Sequence, residues 1–265
     1  MEHVAGGKPD RAASGAGVGH VTSLARYPVK STAGENVSVV DLDERGVQHD
    51  RRWAMYLPDG GIVSGKTTRR FRKIDRTMLW RSVMPADGSG VPIVQAPDGQ
   101  IYSADDPAAE AALSVAFGQP VTLRRETTTR HHDECGVHLI TTSSIRQIEE
   151  IIGGRIDPAR LRANVIVNTQ GVGFVEDDWI GRDLALGDEV VLRLGPGMPR
   201  CIMVDQPQAS IHADVPILKA IGSAHDVLLG LQATVLRAGR IHLGAAARLR
   251  RSATAGSCPE SNAAL

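Results

Sequence analysis

Trp53-Ala-Met-Tyr-Leu57 is followed by Pro58-Asp-Gly-Gly61 and then by a second apolar run, an order that is typical of a β-hairpin. The Asp-Gly pair tolerates the backbone angles that a tight reversal requires. Working outward, other short runs rich in β-branched residues are bounded by turn residues, which predicts strands. These runs are Val37–Leu42, Pro120–Leu123, Asn164–Val167, Glu189–Leu194, Gln232–Leu236 and Gly239–Gly244.

Helical patterns are few. The clearest covers Thr142–Gly153, which begins with hydroxyl residues, repeats isoleucine along one stripe and ends at a glycine. Weaker helical patterns cover residues 105–117 and 214–221. Many short strands and few helices predict a mainly β, α+β fold, with closed or sandwich-like sheets rather than a doubly wound parallel sheet.

Composition limits the class of protein. The 265 residues suffice for one large domain or two small ones, and 30 Lys and Arg residues balance 30 Asp and Glu residues. This balance gives no sign of a nucleic-acid or membrane surface. Three cysteines without a framework spacing fit a reducing compartment, and the chain has neither a membrane-spanning apolar stretch nor a signal-peptide pattern. We expect a cytoplasmic protein that binds neither nucleic acid nor membranes.

The chain divides into regions of different composition. Residues 1–19 and 252–265 are small and polar, so we expect both ends to be disordered. A polar seam near residues 125–135 predicts a boundary between two β units. Within it, His131-His-Asp-Glu-Cys135 has the composition of a metal site, but neighbouring strand residues face opposite sides. We therefore interpret it as a boundary segment and assign no ligand role to Cys135 or Cys258.

Two polar sites lie in the N-terminal half. Lys30 and Ser31 follow the stiffening Pro28 and can grip a phosphate, although a solvated loop lysine explains the same residues. Arg51 precedes Arg52 on a predicted strand, so one of the two should point inward, where an arginine needs an anionic partner. That partner is either an anionic ligand or the neighbouring Asp50, in a structural salt bridge.

Two further polar sites lie in the C-terminal half. Thr141, Thr142 and Ser143 stand at the start of the clearest helix, where hydroxyls and free N–H groups form either an anion site or an ordinary N-cap. Arg162 and Asn164 are two residues apart, and on a strand they would share one face. They would present a forked donor and an amide together.

Cys201 stands in Gly195-Pro-Gly-Met-Pro-Arg-Cys-Ile-Met-Val-Asp-Gln-Pro207, between a turn-like Gly/Pro run and a short apolar run. The neighbouring Arg200 favours a thiolate, which is the form that binds soft metals or attacks electrophiles. The alternative is a buried cysteine that acts as a small hydrophobe. Cations, hydroxyls and one thiol from separate segments suit a polyanionic small molecule that also needs a soft ligand.

Other cofactor sites find no support. The sequence lacks a Gly-rich dinucleotide loop and has only a fragment of a P-loop at Ser64–Thr67. Three cysteines cannot hold a conventional four-cysteine iron–sulfur cluster.

The order of six motifs resembles the MOSC family, which is named for the C-terminal domain of molybdenum cofactor sulfurases, preceded by its N-terminal β-barrel domain. The resemblance runs from about residue 20 to 250 and includes the amidoxime-reducing component and related bacterial proteins. It rests on Arg26–Ser31, His49–Trp53, Leu139–Ser144, Arg160–Val167, Phe174–Gly181 and Pro199–Met203.

The resemblance implies two packed β-barrel-like units, an N-terminal domain over residues 20–125 and a MOSC domain over 126–251, which we expect to interleave. It also implies a molybdenum cofactor of the molybdopterin type whose metal is bound by Cys201, with Asp205 nearby as a catalytic residue. The expected contacts to phosphate and pterin are Lys30, Ser31, Arg51, Thr141, Thr142, Ser143, Arg162, Asn164 and Arg200.

One departure bears on activity. The reductases of the family have a Thr-Thr-Val-Asp pattern after the cysteine, whereas Ile202-Met-Val-Asp205 stands here. The resemblance suggests an oxidoreductase that reduces N-hydroxylated or other N–O compounds, with electrons from a separate flavin or iron–sulfur protein. The alternative is a non-catalytic carrier of the cofactor, or of sulfur on Cys201. Because no desulfurase domain precedes the motifs, we expect pyridoxal-phosphate binding to be only an inherited family label.

Overall fold

The computed structural model describes residues 15–86, 88–209, 211 and 215–250. The helices are α1 (Pro107–Phe117), α2 (Thr142–Ile152) and α3 (Ile217–His225). The strands are β1 (Ala16–Arg26), β2 (Glu35–Val37), β3 (Val39–Asp43), β4 (Gly46–Val47), β5 (Trp53–Tyr56), β6 (Ile62–Ser64), β7 (Phe71–Lys73), β8 (Arg81–Val83), β9 (Ile93–Gln95), β10 (Ile101–Ser103), β11 (Thr122–Arg125), β12 (Val137–Thr141), β13 (Val165–Asn168), β14 (Asp183–Leu186), β15 (Val190–Pro199), β16 (Leu228–Arg237), β17 (Gly239–His242) and β18 (Ala246–Arg250).

Seven strands close into a barrel in the order β1-β13-β12-β16-β15-β14-β18, and β18 pairs with β1 to complete the ring. All neighbours in the ring are antiparallel except β12 and β13, which run parallel. The predicted fold class is confirmed: the protein is mainly β, with three helices in the described part of the chain.

The barrel closes around side chains that alternate along its strands. On β12 and β13, Leu139 and Val165 point into the barrel core, whereas Ile140 and Ile166 point outward. The outward pair packs against Ile145 on α2, in a second core that α3 also joins. The helix predicted over Thr142–Gly153 therefore covers one side of the barrel. Burying each large aliphatic side chain contributes roughly 1.5–3 kcal/mol.

The second unit consists of small sheets. The sheets β11-β5-β6-β7 and β8-β9-β10 enclose, together with α1, a core that contains Trp53, Met55 and Trp80. The predicted hairpin is present: Leu57 N–H donates to Gly61 O at 3.0 Å between β5 and β6. Among the residues that the structure describes, no pairing closes these sheets into a ring.

The two units share strands. β1 comes from the N-terminal region yet is one of the seven strands of the barrel, and β17 pairs with β3 far back in the chain. Because β1 begins at Ala16, residues 16–19 belong to the sheet, and the prediction that they are disordered was wrong. The tail over residues 252–265 lies outside the described residues. Within the described part, no helix is long and apolar enough to cross a membrane.

Candidate functional site

A cleft lies where one end of the barrel meets the small sheets. β1 and β15 end beside it, β12 and β13 begin beside it, and the end of β6 with the loop that follows forms part of its wall. Its walls are formed by Lys30, Ser31, Arg51, Ser64, Lys66, His132, Asp133, Glu134, Cys135, His138, Arg162, Asn164, Met198, Pro199, Arg200, Cys201, Met203 and Val204.

Cys201 borders the cleft just beyond the end of β15. Its backbone is extended and its residue is partly exposed, so the thiol can be reached by a ligand. The Gly/Pro run before it was predicted to be a turn, which was wrong. Residues 195–199 form the irregular end of β15, with register shifts between Leu194 and Gly197 and again before Pro199. These bulges redirect the strand end toward the cleft.

Arg200 is half-buried beside Cys201 and held by three contacts. Its Nη2 donates to the Leu161 carbonyl at 2.5 Å, its Nη1 lies 3.4 Å from Nδ1 of His138, and its backbone N–H donates to Val227 O at 2.8 Å. Burial lowers the pKa of Arg200 to about 10. The Nε atom of Arg200 is buried and has no hydrogen-bond partner among the described residues, which is typical of a position that a ligand completes.

Arg162 and Arg51 lie near the same aromatic ring. Their Cζ atoms are 4.3 and 4.8 Å from the centroid of the buried Tyr27. Both arginines have positive φ angles, 54° and 51°, so neither is on a strand as predicted. Burial, followed by the nearby Arg51, lowers the pKa of Arg162 to about 10. Within the described part of the chain no carboxylate pairs with Arg162, so its charge adds to the positive potential of the cleft.

Asp50 is the partner of Arg51. The two side chains form an ion pair, and Asp50 also accepts hydrogen bonds from Tyr27 N–H at 2.8 Å and from Nε2 of His132 at 3.3 Å. Burial alone would raise the pKa of Asp50, but Arg51 and His132 hold it well below its usual range. Arg51 therefore makes the structural salt bridge and also lines the cleft.

Lys30 and Lys66 lie close together on another part of the cleft wall, where both contact the same carboxylate. Both ammonium groups pair with Asp133, and the Nζ–Oδ2 distance from Lys66 is 3.0 Å. Lys30 also lies 4.6 Å from the centroid of the Phe71 ring. Burial lowers the pKa of Lys30 to about 8, with Asp133 acting against this change. Ser31 donates to the Val63 carbonyl at 3.1 Å, which ties this wall to β6.

Asn164 also lines the cleft, but its amide is used within the fold. Its Oδ1 accepts from His138 N–H at 3.0 Å and its Nδ2 donates to Ala25 O at 3.2 Å. It fixes the ends of β1 and β12 relative to each other.

Three predicted cofactor contacts lie outside the cleft. The hydroxyls of Thr141, Thr142 and Ser143 point to the loop after β13, and their partners are Glu176 Oε2 at 2.6 Å, Asn168 Oδ1 at 3.0 Å and the Gln170 carbonyl at 2.7 Å. The N-terminus of α2 therefore anchors this loop, and a contact of these hydroxyls with a cofactor stays a prediction.

Asp205 also lies outside the cleft wall. Its Oδ1 accepts from Leu218 N–H at 3.1 Å in the first turn of α3, and lies 3.6 Å from Nη2 of Arg160. Asp205 therefore accepts a hydrogen bond from the first turn of α3, and its catalytic role stays a prediction.

Sequence reasoning missed several residues of the cleft, among them Lys66, His138 and the segment from His132 to Cys135. The segment is not a strand, so its side chains are free of the alternation that argued against convergence. It crosses close to Arg45 and Gly46, where a Cβ on Gly46 would overlap the Gly136 carbonyl. In the sequence, the density of titratable residues in His131–Cys135 was the feature that could have indicated that this segment lines a binding site.

Comparisons with known proteins fit this architecture. A sequence model of the MOSC N-terminal beta barrel domain matches residues 18–151, and a model of the MOSC domain matches residues 126–248. The two matches overlap in the segment that carries Asp133 and Cys135. A comparison with curated protein sequences found no match.

The comparison with solved structures gave two matches that are described here by their extent. The crystal structure of the YUAD protein from Bacillus subtilis has a TM-score of 0.48 at 15% identity, over 88% of this chain and 96% of that chain. The crystal structure of YiiM from Geobacillus stearothermophilus has a TM-score of 0.35 at 20% identity, over 45% of this chain and 56% of that one.

Proposed function

The chain belongs to the MOSC family, and we propose that its cleft binds a molybdopterin-type cofactor with Cys201 as the protein ligand to the metal. The family is associated with the molybdenum cofactor. The observation that carries the proposal is a single cleft that combines several cations along its walls, two of them buried (Lys30 and Arg162), with a reachable thiol at its edge. Such a cleft suits a ligand with an anionic end and a soft-metal end.

The cations support the anionic end. Lys30, Arg51, Lys66, Arg162 and Arg200 all line the cleft, whereas its wall carries the carboxylates of Asp133 and Glu134. Burial is the first cause of the lowered pKa values of Arg162 and Arg200. Neither arginine has a carboxylate partner among the described ion pairs that would oppose this effect. A phosphate or a pterin oxygen would supply acceptors and return these groups to favourable surroundings.

The unpaired polar atoms of the wall also fit such a ligand: Nε of Arg200 is a donor, and Nδ1 of the neutral His132 is an acceptor, because Nε2 donates to Asp50. Nε of Arg200 and Nδ1 of His132 are buried without a hydrogen-bond partner in the described part of the chain, and both residues line the cleft. Buried polar atoms are nearly always paired, so unpaired atoms on the wall of a cleft indicate a missing ligand. Lys30, Ser31, Arg51, Arg162 and Arg200 would hold the anionic and pterin parts, and Cys201 the metal.

We propose that the protein is an oxidoreductase acting on N-hydroxylated or other N–O compounds. The bound cofactor would supply a two-electron redox centre, and a separate flavin or iron–sulfur protein would supply electrons. The chain's own residues would bind the cofactor, keep the sulfur of Cys201 beside Arg200 and limit access of water through the walls of the cleft.

One observation favours a second candidate. Asp205, the carboxylate expected near the metal, is occupied by Leu218 N–H and Arg160, and Ile202 replaces a hydroxyl residue directly after Cys201. A site without these polar groups next to the thiol also suits a carrier of the cofactor, or of sulfur on Cys201.

The test is purification from a host that makes the cofactor, followed by molybdenum analysis and fluorescence of the oxidised pterin. Stoichiometric molybdenum and pterin in the wild type, lost in Cys201→Ser, would support cofactor binding. Turnover of an N-hydroxylated substrate with an artificial electron donor then separates the enzyme from the carrier. Neither metal nor pterin on the wild-type protein would overturn the proposal.

A further inference from the structure

The outer face of the sheet β11-β5-β6-β7 carries arginines next to aromatic rings. The strand register places Tyr56 and Phe71 on this face, with Ile62 between them. The Cζ atom of Arg124 lies 5.0 Å from the centroid of the Tyr56 ring, and that of Arg70 lies 5.2 Å from the centroid of the Phe71 ring. Both distances are within the range of cation–π contacts, so the rings fix the positions of the two guanidinium groups.

A groove opens on this face beside the hairpin that joins β5 and β6. It is lined by Tyr56, Asp59, Gly60, Gly61, Ile62, Arg69, Arg70, Arg72 and Thr129. The exposed Arg130 follows Thr129, so the groove lies between the segment before β7 and the segment after β11. Burial raises the pKa of Tyr56, and Arg70 and Arg124, one from each edge of the sheet, both oppose this change. The cations of the two segments therefore converge at one place.

Most of these positive charges have no counter-ion. Arg72 pairs with Asp59, and Lys73 pairs with Asp75. Among the ion pairs of the described residues, none includes the other arginines of this face, which are Arg69, Arg70, Arg124 and Arg130. Because the whole chain has a formal net charge of zero, the face is a local excess of positive charge.

The groove and the cleft share the Phe71 ring. Nζ of Lys30 and Nζ of Lys66, which line the cleft, lie 4.6 and 5.4 Å from the centroid of the ring that Arg70 contacts from the groove. Nη1 of Arg70 also donates to the carbonyl of His132, another residue of the cleft wall, at 3.1 Å. A protein bound at the groove would therefore be separated from the cleft by one layer of side chains.

We propose that this arginine face, defined by Arg69, Arg70, Arg124 and Arg130, docks a small electron-transfer protein with an acidic surface. The proposal deepens the proposed function and rests on it for the use of the electrons. Opposite charges raise the rate of encounter, and small, short-lived interfaces are typical of electron-transfer partners. Two electrons from the partner and two protons from water convert an N-hydroxylated compound to the amine and water, and the partner is oxidised by the same two electrons.

Carboxylates at the groove favour a protein over a nucleic acid as the partner. The side chains of Asp59 and Asp75 are 52% and 70% exposed, so they would repel a phosphate backbone. A protein surface can meet them with amide or cationic groups. The ring of Phe71 is buried and that of Tyr56 lies under Arg124, so neither is an open platform on which a base can stack.

The test measures binding of an acidic [2Fe–2S] ferredoxin to the protein, purified from a host that makes the cofactor, on a biosensor at low salt. The double variant Arg69→Glu/Arg124→Glu should weaken binding by at least about tenfold, mainly through a slower association rate. The matched control Arg248→Glu reverses an exposed charge on β18, away from the groove, and should change binding by less than about twofold. Binding to the wild type should also weaken as salt is added. No binding to the wild type at low salt, or equal binding to the double variant, would overturn the proposal.

Two further measurements test the choice of partner. Binding of a short single-stranded RNA that is tighter than that of the ferredoxin, and is lost in the double variant, would overturn the proposal in favour of a nucleic-acid surface. Sedimentation detects the alternative of a contact between two copies of the chain. Self-association of the wild type that is lost in the double variant would also overturn the proposal.

Turnover separates this proposal from the broader one. The double variant should retain wild-type molybdenum content and wild-type turnover with a small artificial electron donor, and should lose turnover with the ferredoxin. Loss of turnover with both donors would overturn the docking role, because the arginines would then support the cleft itself. Ferredoxin binding with the expected responses, on a protein that holds neither molybdenum nor pterin, would support the docking face and refute the proposed function.

Discussion

The imidazole of His138 accepts a hydrogen bond from the guanidinium of Arg200, with Nδ1 and Nη1 3.4 Å apart. The other ring nitrogen, Nε2, lies 3.1 Å from the Leu229 carbonyl, so it must carry the proton. Burial, and then the Arg200 charge, holds the pKa of His138 well below its usual range, which keeps the ring neutral. His138 therefore orients Arg200 beside the candidate metal ligand Cys201.

We expect His138→Leu to lower both stability and cofactor retention, since it leaves the Leu229 carbonyl and one arm of Arg200 unpaired. The loss of stability should be about 1–3 kcal/mol. His138→Gln keeps one donor and one acceptor and should recover part of both. Thermal melting and pterin fluorescence measure the two effects, and full pterin retention in the Leu variant would show that Arg200 needs no such support.

The same ring has a pH signature. Its pKa in the folded protein is below that of the unfolded chain, so unfolding takes up a proton once the pH falls below about 6.5. His138 therefore costs no stability at neutral pH and lowers stability progressively in acid. The melting temperature should fall less between about pH 7 and pH 5 in His138→Gln than in the wild type. An equal fall of the melting temperature in both proteins would show that other histidines cause the loss of stability in acid.

Arg51 serves both the fold and the cleft, because it pairs with the buried Asp50 and lines the cofactor wall. Arg51→Ala should lower the melting temperature of the cofactor-free protein and, in addition, weaken cofactor binding by about ten- to a hundredfold. Arg51→Lys should recover the pairing with Asp50 better than the cofactor binding, because lysine lacks the planar fork. An equal loss of stability with and without cofactor would show that Arg51 acts only through its salt bridge with Asp50.

Cys201→Ser should abolish molybdenum retention with little effect on folding, since the hydroxyl is a harder ligand of similar size. Cys135 is the matched control, because its thiol lines the same cleft and donates to the Val137 carbonyl at 2.9 Å. A serine there can make the same hydrogen bond, so Cys135→Ser should keep the metal. Elemental analysis decides: metal loss in Cys135→Ser would mean that both thiols serve the ligand.

Much of the fold could be predicted from local signals in the sequence. The hairpin around Gly60 and the helix that ends at Gly153 depend on turn and cap residues, which act within a few positions. Cys201 and Arg200 are neighbours in sequence, so their joint placement followed from one motif. Lys30 and Arg51 were predicted from charge and from the family resemblance, and both line the cleft.

The features that the sequence did not reveal are contacts between distant segments. The hydroxyls of Thr141 and Ser143 were candidates for an anion site. Closure of the barrel places residues 168–176 next to them, and both hydroxyls donate hydrogen bonds to this segment. His138 reaches Arg200 because β12 pairs with β16, and β16 in turn pairs with β15, which ends beside Arg200. Asp133 enters the cleft through the close crossing at Gly46. No local pattern encodes these approaches.

Asp205 should behave as a helix cap. Its carboxylate accepts from Leu218 N–H, so Asp205→Ala should lower the free energy of unfolding by about 0.5–2 kcal/mol. Asp106, which accepts from Ala108 N–H at the start of α1, provides a matched control far from the cleft. Both alanine variants should lose similar stability in chemical denaturation and retain the same turnover per bound molybdenum. A selective loss of turnover in Asp205→Ala would restore its catalytic assignment.

Lys30 should give phosphate binding and stability opposite dependences on alkaline pH. Burial lowers the pKa of Lys30 to about 8, with Asp133 opposing this and Arg51 and Lys66 adding to it. The pKa of Lys66 is raised by Asp133 in spite of burial, so Lys66 stays charged over the same range. Phosphate itself is already largely dianionic above about pH 7. Lys30 is therefore the group that titrates.

The signs follow from which state holds the proton. As the pH rises through about 8, Lys30 in the empty protein loses its charge, and phosphate affinity should fall by up to about tenfold per pH unit. The unfolded chain keeps its lysine protonated to about pH 10.4, so the burial penalty disappears over this interval and the contribution of Lys30 to stability rises. Lys30→Arg stays charged and should flatten both the affinity profile and the stability profile.

Calorimetry and denaturant titrations between about pH 7 and pH 10 measure these two profiles. A wild-type affinity profile that coincides with that of Lys30→Arg would show that Lys30 is not the titrating group, and stability that falls in step with affinity would indicate general alkaline unfolding.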